Sequence, residues 1–155
     1  MESDEEVWRT ILDLTQEIGY KLKKNHLAAR GIQINVRDKN FFSCQYQMKL
    51  EYITQSTLFL AQAAKLLFFK KHRFTTPLRS ITVRAIDLVP EDTPQQLNLF
   101  AGYDKQDDIV RLESAVDRLR ERFGNKIVVP ASLMGKSCRP TLSTDFPKMP
   151  APMYH

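Results

Sequence analysis

Residues 31–37 read Gly31-Ile32-Gln33-Ile34-Asn35-Val36-Arg37. Their alternation decides the fold. Ile32, Ile34 and Val36 point one way, and Gln33, Asn35 and Arg37 the other, the period-2 pattern of a half-buried β-strand. After a turn at Asp38-Lys39-Asn40, residues 42–50 alternate again. Phe42, Cys44, Tyr46, Met48 and Leu50 share one face, and Ser43, Gln45, Gln47 and Lys49 the other, so the pair reads as an antiparallel hairpin. A third strand over 78–88, after Pro77, places Ile81, Val83 and Ala85 against Ser80, Thr82 and Arg84.

Three amphipathic segments surround these strands. Residues 4–24 carry Val7, Ile11, Leu14, Ile18 and Leu22 at helical spacing. Ser3 or Asp4 is placed to cap this helix, with acids in its first turn and Lys21, Lys23 and Lys24 in its last, as the helix dipole favours. Residues 54–71 form a second helix, with Thr54 as N-cap and Leu58, Ala61, Leu66 and Phe69 buried. A third covers 106–122, with Ile109, Leu112, Val116, Leu119 and Phe123 on one stripe and Gly124 at its end. Ile127-Val128-Val129 suits a short strand. The apolar strand faces must pack on helices, which gives an α+β two-layer domain: one antiparallel sheet with helices on one face. The domain is expected over 1–129. From Pro130 the chain holds Pro130, Pro140, Pro147, Pro150 and Pro152 without periodicity, so 130–155 reads as a poorly ordered tail.

The bulk properties narrow the function. The chain has 155 residues, a net charge of +5 and a hydrophobic fraction of 43%, which favours an anionic partner for a domain with a real core. Cys44 and Cys138 lie far apart and the three histidines are scattered, so neither a disulfide framework nor a zinc site is indicated. The acidic start Met1-Glu2-Ser3-Asp4-Glu5-Glu6 is no signal or transit peptide. The apolar run Leu66-Leu67-Phe68-Phe69 is too short to span a bilayer, and a cytoplasmic location without membrane contact is expected.

Two stretches carry functional signals. The outward strand positions are Gln33, Asn35, Arg37, Ser43, Gln45, Gln47, Lys49, Ser80, Thr82 and Arg84, with no carboxylate and no aromatic. Such a face is either plain solvated surface or a surface for phosphate oxygens, to which all these side chains can donate. Without stacking rings, duplex backbone binding fits better than single-strand or RNA binding. Separately, Gln96-Leu97-Asn98-Leu99-Phe100 sets three large apolar residues in a polar loop, 94–101, behind Pro94. It is either a short edge strand or a linear anchor, with Leu99 and Phe100 for an apolar pocket and Gln96 for its rim.

The pentapeptide matches the consensus by which bacterial polymerases and repair proteins bind the sliding clamp. The ordered set from the first helix through Gly31-Ile32-Gln33-Ile34-Asn35-Val36-Arg37 to Pro77-Leu78-Arg79-Ser80-Ile81-Thr82-Val83-Arg84-Ala85-Ile86-Asp87-Leu88 resembles the C-terminal, little finger domain of Y-family DinB/UmuC-type translesion DNA polymerases, over about residues 4–129. The resemblance implies a domain lying along duplex template–primer by backbone contacts. It carries DNA contacts onto Arg37, Lys49, Arg79, Ser80, Thr82 and Arg84, and clamp contacts onto Gln96, Leu97, Asn98, Leu99 and Phe100. Parity favours Arg84 over Arg79, which falls in the inward register unless a bulge opens the strand. Thr82 stands where the family usually has Gly. The family's first strand, ahead of the first helix, has no counterpart at the start of this chain, and 127–129 is a candidate to fill its place.

No catalytic site is expected here. Nucleotidyl transfer needs paired carboxylates holding metal ions, whereas the acids here sit at helix starts and strand ends, and no Gly-rich phosphate loop occurs. Magnesium chemistry would belong to the parent polymerase. The alternative is a free-standing clamp-binding interaction protein without polymerase activity.

Overall fold

A computed structural model of the chain describes residues 3–72, 77–94, 103–124 and 127–134, the side chains of 103–107 excepted. The elements run α1 (Asp4–Lys24), β1 (Leu27–Asp38), β2 (Ser43–Thr54), α2 (Thr57–Lys71), β3 (Leu78–Pro90) and α3 (Tyr103–Phe123), followed by a single 3-10 turn at Ala131–Leu133. The three strands form one antiparallel sheet in the order β2-β1-β3. α1 covers β1 and β3, and α2 covers β1 and β2. This is the expected α+β two-layer arrangement.

The strand parity places the core. Ile32, Ile34 and Val36 of β1 are buried to 2% exposure or less. Ile34 pairs with Tyr46 on one side and Val83 on the other, so one row crosses all three strands on the inner face. Against it pack Val7, Ile11, Leu12 and Leu22 of α1 and Leu60, Ala61, Ala64, Leu67 and Phe68 of α2. The two helices approach closely at Gly19, where a Cβ would stand 2.3 Å from Thr57 Oγ1 and 3.3 Å from the Gln55 carbonyl. α1 is capped as expected, with Ser3 Oγ accepting from Glu6 N at 3.2 Å.

Several expectations are corrected. Thr54 ends β2 and is not the cap of α2. The expected stripe of α2 is half right: Ala61 is buried, but Leu66 is 60% exposed and Phe69 39%, and Leu60, Ala64, Leu67 and Phe68 are buried instead. Phe42 is 68% exposed, because it lies in the hairpin turn ahead of β2. On α3 the expected stripe splits. Leu112, Leu119 and Phe123 are exposed, and Glu113, Asp117 and Arg120 face the body. Residues 127–129 form no strand. Instead Val129 packs on the core and Leu133 is buried in it, so the folded chain passes the expected boundary at 129.

α3 is fastened by polar contacts. The first N–H groups of a helix lack intrahelical partners, and in α2 they find the Glu113 carboxylate. Glu113 Oε1 accepts from Ser56 Oγ at 2.9 Å and Leu58 N at 3.0 Å, and Oε2 accepts from Thr57 N at 3.2 Å. A residue far along the chain thus does the work of an N-cap. Lys23, at the end of α1, bridges Glu113 at 3.1 Å and Asp117 at 2.7 Å. One turn on, Arg120 donates to Gln16 Oε1 at 2.9 Å and to the Val128 carbonyl at 2.8 Å. These pairings run α3 antiparallel to α1. Burial lowers the Arg120 pKa, with Asp117 and Glu113 opposing the shift, and the guanidinium stays charged.

Two outcomes follow from this packing. Glu113→Ala should cost about 1–3 kcal/mol in urea or thermal unfolding, because it uncaps α2 and removes one partner of Lys23. Glu113→Gln, which can still accept hydrogen bonds, should cost less; equal stability of all three proteins would show that the cap adds nothing. The second concerns His72, at the end of α2, whose ring lies 5.1 Å from that of Phe68 and 6.4 Å from that of Tyr46. Burial lowers its pKa below the ordinary 6.5, with Asp38 opposing. The unfolded chain therefore takes up this proton first. Stability from His72 is complete above about pH 6.5, falls as the pH drops toward the depressed folded value, and levels off below it. Unfolding midpoints measured between pH 7.5 and 5 should fall less in His72→Phe than in wild type.

Candidate nucleic-acid interface

The outer face of the sheet is assembled row by row from the strand register. Ser43, Arg37 and Ser80 form one row; Gln45, Asn35 and Thr82 the next; then Gln47, Gln33 and Arg84; then Lys49, Gly31 and Ile86. Ten residues read from parity in separate strands thus fall on one continuous surface, and no carboxylate lies in these four rows. Arg37, Lys49, Ser80, Thr82 and Arg84 are exposed. The surface is slightly dished, with a depression of about 310 Å³ lined by Gln33, Asn35, Arg37, Ser43, Gln45, Ser80, Thr82 and Arg84. Across it Gln33 Nε2 donates to Gln47 Oε1 at 3.4 Å. With both helices of the second layer on the other side, nothing in the described chain covers it.

Arg79 joins this surface through a bulge. The β1–β3 register shifts between Arg37 and Asp38, which pair with Ser80 and Leu78. Arg79 is left without a register partner, and both it and Ser80 are exposed. The extra residue turns its side chain away from the core, so the condition set by parity is met.

Sequence reading missed two features. Ile86 sits in the outer register, and its side chain lies over Gly31: a Cβ there would stand 2.8 Å from Ile86 Cγ1. The row that holds Lys49 is therefore partly apolar. At the opposite end an aromatic does border the face. Phe41, 57% exposed, stands in the hairpin turn with the guanidinium carbons of Arg79 and Arg37 at 4.6 and 5.4 Å from its ring centre. The sequence signal was available in the pair Phe41-Phe42 beside a turn, but parity assigns no face to a turn residue.

Gln96, Leu97, Asn98, Leu99 and Phe100 lie outside the described residues, as does the chain beyond Met134. Among the described residues no three or more His, Cys, Asp or Glu side chains are grouped to hold a metal ion. No described helix is long and apolar enough to cross a membrane.

Fold and surface together define a small α+β domain with one helix-covered and one open sheet face, whose four mapped rows are basic and free of acids. Residues 1–99 match the sequence model of the impB/mucB/samB family C-terminal domain. The chain belongs to that family, the C-terminal domain of Y-family translesion polymerases, which its strand motifs resemble. It is 34% identical over 122 residues to a DNA polymerase IV of Acetivibrio thermocellus, covering 79% of this chain and 31% of the relative. It is 25% identical over 130 residues to a DNA polymerase IV of Desulfatibacillum aliphaticivorans, covering 84% and 33%. The chain thus spans about a third of the length of the curated relatives it matches.

Proposed function

We propose that this chain is the part of a translesion polymerase that grips duplex template–primer DNA through the open sheet face, and that it docks on the bacterial sliding clamp through Gln96-Leu97-Asn98-Leu99-Phe100. One observation carries the DNA reading: ten donor-rich, acid-free positions from three strands converge on a single exposed surface. Arg37, Lys49, Arg79 and Arg84 each neutralise a phosphate and release counterions, and Ser80, Thr82 and the glutamines add neutral hydrogen bonds. Phosphate contacts carry no base information, so the grip proposed here is indifferent to sequence. Nucleotidyl transfer, with its magnesium ions, is assigned to other parts of the parent polymerase, since this chain matches only about a third of the length of its DNA polymerase IV relatives. A cytoplasmic setting follows from a DNA substrate in a bacterial-type polymerase.

Affinity for a recessed duplex, measured over a salt series, tests the DNA reading. Wild type should bind weakly, with an affinity that falls steeply with salt. Arg84→Ala should reduce the log–log slope by roughly 0.9, the loss of one phosphate contact, to the same extent on unrelated sequences. An unchanged slope would remove Arg84 from the interface. For the clamp, binding to an isolated bacterial sliding clamp should be on the order of micromolar, since a short peptide pays for its own ordering. Leu99→Ala with Phe100→Ala should abolish that binding without changing the unfolding midpoint. Unfolding of the double variant would instead make the segment part of the core.

A further inference from the structure

The β1–β2 turn is built in a way that its backbone alone would not select. Phe41 N donates to the Asp38 carbonyl at 3.1 Å, and Asp38 N donates to the Phe42 carbonyl at 3.0 Å. This is a tight turn closed by one left-handed residue, the position that hairpins of this length usually give to Gly. Here the residue is Phe41, with φ of +66°. A bulky side chain at positive φ is a true outlier, and an Asn, better suited to that conformation, stands immediately before it at position 40. The ring gains no core burial in return, since it is 57% exposed. What it does meet is the pair of guanidiniums at 4.6 and 5.4 Å. Those belong to Arg79, thrown outward by the β3 bulge, and Arg37, at the end of the acid-free face.

We infer that Phe41 is a positioning residue that holds Arg37 and Arg79 together as a two-arginine phosphate clasp at the hairpin end of the sheet face. The inference rests on the DNA-gripping reading and specifies where that grip is tightest. Two long cationic side chains on an exposed edge repel each other and sample many rotamers. Contact with the same ring offsets both effects through cation–π attraction, and leaves the donor edges of the guanidiniums for phosphate oxygens. Arginine suits this because its flat cation can stack and donate at once. The ligand chemistry is phosphodiester oxygen, and the ring itself makes no contact with it.

The test uses the whole chain and a recessed duplex at low salt. Phe41→Gly removes the ring and supplies the residue that the turn geometry prefers, so the unfolding midpoint should stay level or rise. Duplex affinity should nevertheless fall about three- to tenfold, while Phe41→Trp should keep wild-type affinity. In an Arg37→Gln, Arg79→Gln background, Phe41→Gly should change nothing further. In the free protein, the Nε–Hε resonances of Arg37 and Arg79 should carry ring-current shifts that vanish in Phe41→Gly. Wild-type binding that Phe41→Gly leaves unchanged overturns the clasp and spares the DNA reading. Failure of wild type to bind at all overturns that reading and the clasp with it. A loss that persists in the double-glutamine background shows the ring touching DNA directly and overturns the positioning role.

Discussion

β1 is hydrogen-bonded on both sides and buried on one face, and the rest of the domain is arranged around that constraint. A slip of one residue against either neighbour would carry Ile32, Ile34 and Val36 into water and Gln33, Asn35 and Arg37 into the core. Register is therefore fixed twice, against β2 and β3, by the same three apolar side chains. Because the inner rows are pinned, the outer rows are pinned too. The open surface is the reverse side of the core, and its order is inherited from packing.

The third helix attaches by a different logic. α3 turns polar groups toward the body and leaves Leu112, Leu119 and Phe123 outside. Its hold depends on Glu113, which satisfies donors at the start of α2 while pairing with Lys23 at the end of α1. An apolar stripe would bind a helix over a range of rotations and shifts. A carboxylate aimed at the N–H groups of one helix end accepts a single position. Arg120, reaching both Gln16 and Val128, fixes the rotation about that point and draws residues 128–133 along the same side of α1.

What could be read from the sequence follows from these two logics. Strands carry their orientation in strict alternation, so three short segments were enough to give the layers, the pairing and nearly every residue of the open face. α1, with its capping Ser3 and regular stripe, was legible for the same reason. α2 was less so, because Leu66 and Phe69 stand on its exposed side beside Gln62 and Lys65 and blur the buried face. α3 misled because its exposed stripe obeys the helical period as well as a buried one would. Glu113 as a cap for α2 could not be seen, since a cap is sought next to the helix it serves. Phe41 escaped because a turn has no parity, and its positive φ is imposed by the pairing of Asp38 with Phe42 across it.

The sheet order also sets a sequence of events in time. β1 and β2 are joined by a tight turn, so their ladder can zip within microseconds of the turn forming. β3 comes from beyond α2 and pairs Leu27 with Pro90 across the whole of both intervening elements. That closure spans the long connection through β2 and α2, and the third strand is added to the open edge of β1 beneath α1. The early hairpin already carries Arg37 and Lys49, and Arg79 and Arg84 arrive with the late strand. The charged surface is therefore complete only when the last strand has docked, so a partly folded chain presents only half of it.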